Sequence, residues 1–202
     1  MVANFAEMLA NIFEPLFKVT LDPASDPQLH YMLQQLVGFD CVDDESKMER
    51  AMEKSIGDIP ADQWDTSENP PYAYYLYYLH VNLRVLNELR NSRGMNTFAF
   101  RPHTGEAGDA SHLAAGFILA DGINHGITLN KHPALQYMYY MAQVGIAMSP
   151  MSNNTLFLKL AKNPFLLYFN RGLNVSLSTD DPLQFHHTHE PLLEEYLSLI
   201  HI

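Results

Sequence analysis

Thr97-Phe98-Ala99-Phe100-Arg101-Pro102-His103-Thr104-Gly105-Glu106 passes from a short apolar run into polar and conformationally special residues. Residues 97–100 read as a short buried strand, rich in aromatic and β-branched side chains. Whatever follows lies at the strand's C-terminal end. Upstream, Leu76, Leu79, Leu83 and Leu86 recur at helical spacing, and Arg93-Gly94 supplies a basic last turn with a capping glycine. Downstream, a helix around Leu113, Phe117 and Ile118 leads to Gly122 and an apolar step at Ile123. Pro133 opens another helix, Ile146-Ala147-Met148 is strand-like, Asn163-Pro164 starts a helix closed by Arg171-Gly172, and residues 174–178 form the last strand. Helices alternating with short apolar strands imply a parallel sheet covered by helices. Polar residues follow each strand: Arg101-Pro102-His103, Asn124-His125, Ser149 and Thr179-Asp180-Asp181. In a (β/α)8 barrel that end of the strands carries the chemistry. About five strands are countable, one of them near Val37, where a closed barrel takes eight, so the architecture reads as α/β and part of a barrel.

The first 71 residues are less regular. Phe5, Leu9, Ile12 and Leu16 mark an amphipathic helix, and a second helix is expected from Ser25 through Leu29, Leu33 and Leu36. Asp43 to Pro71 is charged and broken by Gly57, Pro60, Pro70 and Pro71, which reads as a long surface loop.

Bulk properties narrow the function. A chain of 202 residues with 47% hydrophobic content can bury a real core. The net charge of −11 repels nucleic-acid phosphates and anionic lipid alike. The single cysteine, Cys41, cannot form an intrachain disulfide. The start carries no basic stretch followed by an apolar run, and the apolar segment from Tyr72 to Leu79 is too short to span a bilayer. These features describe a cytosolic globular protein.

Three strand ends hold candidate chemistry. His103 can ligate zinc, and Glu106, three residues on, can move protons. Alone, a histidine after a strand is more often a hydrogen-bonded structural residue, and the same holds for His125. Asp180 and Asp181 diverge at a strand end, so one can hold a metal while the other faces a substrate. They also suit a helix cap ahead of Pro182. A His with a Glu, then a His, then paired Asp at the ends of successive strands match a metal-assisted hydrolytic site. Three other features read as decoration. His186, His187 and His189 lie past the strand end and are expected in solvent. The tyrosines of residues 72–78 read as helix packing, and Asp43-Asp44-Glu45 as a solvated acidic loop.

Longer motifs carry a resemblance. Gly38-Phe39-Asp40 with Asp43-Asp44-Glu45-Ser46, Asn69-Pro70-Pro71-Tyr72, Arg101-Pro102-His103 with Gly105-Glu106-Ala107-Gly108, Met148-Ser149-Pro150 before Ser152-Asn153-Asn154, and Ser176 through His186 together resemble the AMP deaminase family of adenosine deaminase-like amidohydrolases. The resemblance runs from about residue 4 to Tyr196. It implies an incomplete (β/α)8 barrel, roughly strands four to eight, and zinc-dependent hydrolysis of AMP to IMP and ammonia. It further implies His103 and Asp180 as zinc ligands and Glu106 as the group that protonates the purine ring nitrogen. His125 becomes the base that orients and activates the water the zinc holds. Asp181, Pro182, Leu183 and Gln184, with Glu106, become part of the substrate pocket, and the longer parent is expected to be a homo-oligomer. Thr104 stands where the family usually has Cys or Ser, and His189 where a Lys is usual. The family's first-strand His-x-His, with two further zinc ligands, is expected upstream of Met1, which then reads as an internal methionine, and this chain alone is expected to be inactive. Residues 197–202 bear no relation to the expected family helix, and their match to a sequencing-adapter translation marks them as a possible artefact. Two rivals remain: an adenosine deaminase acting on the nucleoside, and a non-catalytic fragment that only associates with full-length subunits.

Overall fold

Asn4 and Asp26 open the first two helices in the same way, each accepting a hydrogen bond from the backbone N–H three residues on (Glu7, 2.9 Å; Leu29, 3.0 Å). The structure is a computed structural model that describes residues 2–47, 59–66, 68–156 and 158–200. It divides into two compact units, Met1–Phe39 with Met48–Phe100, and Asp40–Lys47 with Arg101–Ile202.

In the first unit, α1 (Phe5–Leu21) buries Phe5, Leu9, Phe13, Leu16 and Val19. The second helix, α2 (Pro27–Gln35), starts later than Ser25, because Asp26 is its cap and Pro27 its first residue, while Pro23–Ser25 makes a separate turn. Strand β1 (Gly38–Phe39) precedes the Asp43–Pro71 stretch, of which residues 48–58 and 67 lie outside the described residues. Helix α3 (Tyr72–Ser92) buries Tyr72 and Tyr74, with Tyr74 against Phe5 and Trp64, whereas Tyr77 is exposed. At its end Arg90 is fully buried, donating to the Asn96 carbonyl (2.7 Å) and side-chain oxygen (2.8 Å) and lying over the Phe98 ring. Strand β2 (Ala99–Phe100) pairs in parallel with β1.

The strand expected over residues 97–100 is thus confined to Ala99–Phe100, and a second, unexpected strand follows it. Pro102 lacks an N–H, and pairing resumes in the second unit at β3 (His103–Thr104). His103 thus lies in a strand rather than after one. The second unit continues with α4 (Ala110–Leu119), β4 (Gly122–His125), α5 (Pro133–Ala142), β5 (Gly145–Met148), α6 (Pro150–Leu156), α7 (Phe165–Asn170), β6 (Val175–Leu177) and α8 (Pro191–Leu199), the last continuing past Tyr196. Strands β3, β4, β5 and β6 form one parallel sheet in chain order, so the fold class is α/β with parallel sheets. Helix faces and strands close on Leu113, Ile123, Leu129, Tyr139, Ile146, Met148, Tyr168 and Leu173. Among the described residues no helix is long and apolar enough to cross a membrane.

Candidate active site

The parallel register sets His103 opposite Asn124 and Thr104 opposite His125, so two histidines of adjacent strands meet at one end of the sheet. Their ring centroids are 4.6 Å apart. Asp180, three residues beyond β6, completes the group: its Oδ1 lies 3.9 Å from His103 Nε2 and its Oδ2 3.6 Å from His125 Nε2. One donor atom from each of the three lies within 4.8 Å of the others. The donor set suits zinc. Ligands at about 2.0–2.2 Å in a tetrahedron stand well under 4 Å apart, and His125 Nε2 is buried without a hydrogen-bond partner. His103 Nδ1–H donates to Asp40 Oδ1 (2.9 Å), which turns its Nε2 toward Asp180 as a metal-ligating histidine requires. Asp40 also accepts from the His103 backbone N–H (3.0 Å). Burial works against a charged His103, but the hydrogen bond and charge of Asp40, with Asp180 and Glu106 behind it, raise its proton affinity overall.

His125 sits at φ 69°, in the left-handed region, followed by Gly126 at φ 58°. A bulky residue held there is strained, and such strain collects at functional sites. Burial, then the neighbouring His103, push its pKa down to about 4 against the opposing pull of Asp40 and Glu45, so the ring is neutral at neutral pH. Glu106 lies with Oε1 3.6 Å from His125 Nδ1 and has 12% of its side chain exposed. Burial carries its pKa up to about 7; His103 opposes the shift, while Asp180 and Glu45 add to it. A cavity of about 450 Å³ bordered by residues 42–46, Glu106 and Ala107 opens beside it.

Asn153 on α6 joins the two proton-carrying groups, its amide 3.0 Å from His125 Nδ1 and 3.2 Å from Glu106 Oε1. The two ends of an amide are interchangeable by rotation. With nitrogen inward it donates to both partners and puts the histidine proton on Nε2. With oxygen inward it accepts Nδ1–H from His125 and the proton of a neutral Glu106, leaving the Nε2 lone pair free. Ser152, beside it, donates to Asp180 Oδ2 (3.2 Å). Helix α6 is itself anchored at its start, where Met151 N–H donates to Glu195 Oε2 (3.0 Å).

Two of the features read as decoration are otherwise. Glu45 is buried, because its carboxylate accepts the N–H groups of Gly105 (2.8 Å) and Glu106 (3.1 Å) and the Nδ1–H of His112 (2.7 Å). His186 is not in solvent: its side chain is fully buried with that of Glu195, at 2.9 Å. His187 and His189 are exposed, as expected. Asp181 to Gln184 form a turn directly after Asp180, in which Leu183 is 98% exposed. Sequence reading missed the roles of Asp40, Glu45, His112, Ser152 and Asn153. Asp40 directly after β1 was the one local signal among them.

The AMP deaminase family model matches residues 1–201. The chain belongs to the AMP deaminase family. It is 59% identical over 193 residues to AMP deaminase of Dictyostelium discoideum, covering 96% of this chain and 24% of that protein. It is 60% identical over 195 residues to that of Arabidopsis thaliana, covering 96% and 23%. Human AMP deaminase 3 is 55% identical over 196 residues, covering 97% and 25%. The chain thus spans about a quarter of the length of the curated relatives it matches. An adenine deaminase structure from Arthrobacter aurescens aligns at TM-score 0.51 and 24% identity over 68% of this chain and 40% of that one, a likeness of fold.

Two predictions arise here. In metal-free protein Glu106→Gln should be more stable than wild type at pH 8 and equally stable below about pH 4.5. The folded chain holds the Glu106 proton up to about pH 7, whereas the unfolded chain releases it near 4.5. Between those values the native state binds more protons, so wild-type stability falls as pH rises and glutamine escapes the fall. Melting temperatures of both proteins in chelator across that range check it. Secondly, His187→Ala combined with His189→Ala should leave zinc content and turnover of the family enzyme unchanged, since both rings are in solvent; a clear drop in bound zinc would contradict this.

Proposed function

We propose that this chain is part of the catalytic domain of a zinc-dependent AMP deaminase, corresponding to strands four to eight of a (β/α)8 barrel and hydrolysing AMP to IMP and ammonia. The observation that carries the reading is the approach of His103, His125 and Asp180 from three strand ends to within 4.8 Å, with Glu106 adjoining. His103 and Asp180 would hold the metal. Bound zinc supplies Lewis-acid chemistry that makes water nucleophilic at neutral pH. His125, neutral at that pH, takes the proton that the attacking water gives up. Glu106, with a pKa near neutrality, passes a proton to the purine ring nitrogen as the carbon beside it becomes tetrahedral. The carboxylate of Asp181 and the turn through Pro182, Leu183 and Gln184 line the rim that receives the nucleotide. In this reading the parent acts as a homo-oligomer in the cytosol.

The test is to supply the full-length protein with AMP and with adenosine and follow ammonia and IMP or inosine release, with zinc measured per chain. Turnover of AMP over adenosine is the expected result. Preference for adenosine would favour the nucleoside enzyme, and bound zinc without turnover of either would point to a non-catalytic chain.

A further inference from the structure

Glu45 stands in an acidic run whose composition speaks for solvent, yet 3% of its side chain is exposed. Burying a carboxylate is costly unless each oxygen finds donors, and here each does. Oε2 accepts from Gly105 N–H at 2.8 Å and from His112 Nδ1–H at 2.7 Å, and Oε1 accepts from Glu106 N–H at 3.1 Å. The His112 side chain is equally buried, with 2% exposed. The same residue grips the loop further on, where a Cβ on Gly108 would lie 2.4 Å from the Glu45 carbonyl oxygen. Gly105 and Gly108 both hold positive φ (74° and 76°), so the loop is tightly folded between these contacts.

We propose that Glu45, braced by His112, is a positioning residue that aims the Glu106 carboxyl for proton transfer. The inference rests on the reading of the site as a deaminase centre. Two consecutive peptide N–H groups fixed on one carboxylate set the direction in which the Glu106 side chain leaves the backbone. That direction brings Oε1 to 3.2 Å from the Asn153 amide and 3.6 Å from His125. Proton transfer is sensitive to such placement, and a displacement of about 1 Å can cost about 10²-fold in rate. Glutamine cannot substitute for Glu45, because both oxygens face N–H donors and an amide must turn its own NH₂ toward one of them.

The experiment compares Glu45→Gln, Glu106→Gln and the double variant in the full-length enzyme, with kcat expressed per zinc-bound site. Glu45→Gln should lower kcat by about 10²-fold, leave KM within about threefold and retain zinc. Added to Glu106→Gln it should cost nothing further, since it acts through the group already removed. If Glu45→Gln does not fold, His112→Gln carries the same test, with a smaller fall in kcat at unchanged KM. A kcat per zinc site equal to wild type, even with a lower melting temperature, overturns the proposal and leaves Glu45 a structural residue. Full additivity with Glu106→Gln does the same. Wild-type turnover in Glu106→Gln alone would remove Glu106 from the chemistry, and this inference with it, whereas a wild-type enzyme that binds zinc without turning over AMP would overturn the deaminase reading itself.

Discussion

His103→Ala should release zinc and take turnover of the full-length enzyme below detection. The imidazole is held from behind by Asp40 at 2.9 Å, so its other nitrogen is already turned toward Asp180 before any metal arrives. In the proposed site alanine would remove a ligand of the metal, and it also leaves Asp40 without its ring partner. With fewer ligands the affinity falls, and without the metal no strong nucleophile forms from water near neutral pH. A graded comparison comes from Asp40→Asn, which keeps the ring but weakens its orientation and should lower zinc affinity by about 10–100-fold. Metal analysis after dialysis, alongside an ammonia-release assay, reads both. One zinc per chain with normal turnover in His103→Ala would remove this histidine from the ligand set.

Glu106→Gln should do the opposite to the metal, keeping zinc while lowering turnover by about 10²–10⁴-fold. Glutamine fills the same space and can still bond to Asn153, but it cannot give a proton to a ring nitrogen. The carboxyl is suited to that task because burial carries its pKa up to about 7, where both protonation states are accessible near neutral pH. Substrate affinity should change far less than kcat, because the lost interaction develops only as the proton moves. Steady-state kinetics with zinc measured on the same preparation separate this outcome from misfolding. Turnover near wild type would exclude Glu106 from the chemistry.

The two substitutions probe side chains whose positions differ in how far they could be read from sequence. The strands at Ile123, Ile146 and residues 174–178, and the helix boundaries at Pro133 and Arg171-Gly172, are local signals, since apolar periodicity, proline geometry and the left-handed glycine are properties of neighbouring residues. The same logic expected His103, His125 and Asp180 at strand ends; the register brings the two histidines together, with His103 inside β3 itself, and Asp180 joins them from three residues beyond β6. What sequence periodicity left out were the groups whose environment comes from far along the chain. Glu45 is buried because donors 60 and 61 residues away meet its carboxylate, although its immediate neighbours are acidic. His186 is buried while His187 and His189 are exposed, a difference decided by Glu195 on α8 rather than by the shared composition of the three. Asn153 bridges His125 and Glu106 from a helix that carried no clear periodic signal. Covalent spacing sets which residues can share a face, but the pairing of buried polar groups depends on which donor and acceptor the packed fold brings within about 3 Å, and that is settled only when the elements close on one another.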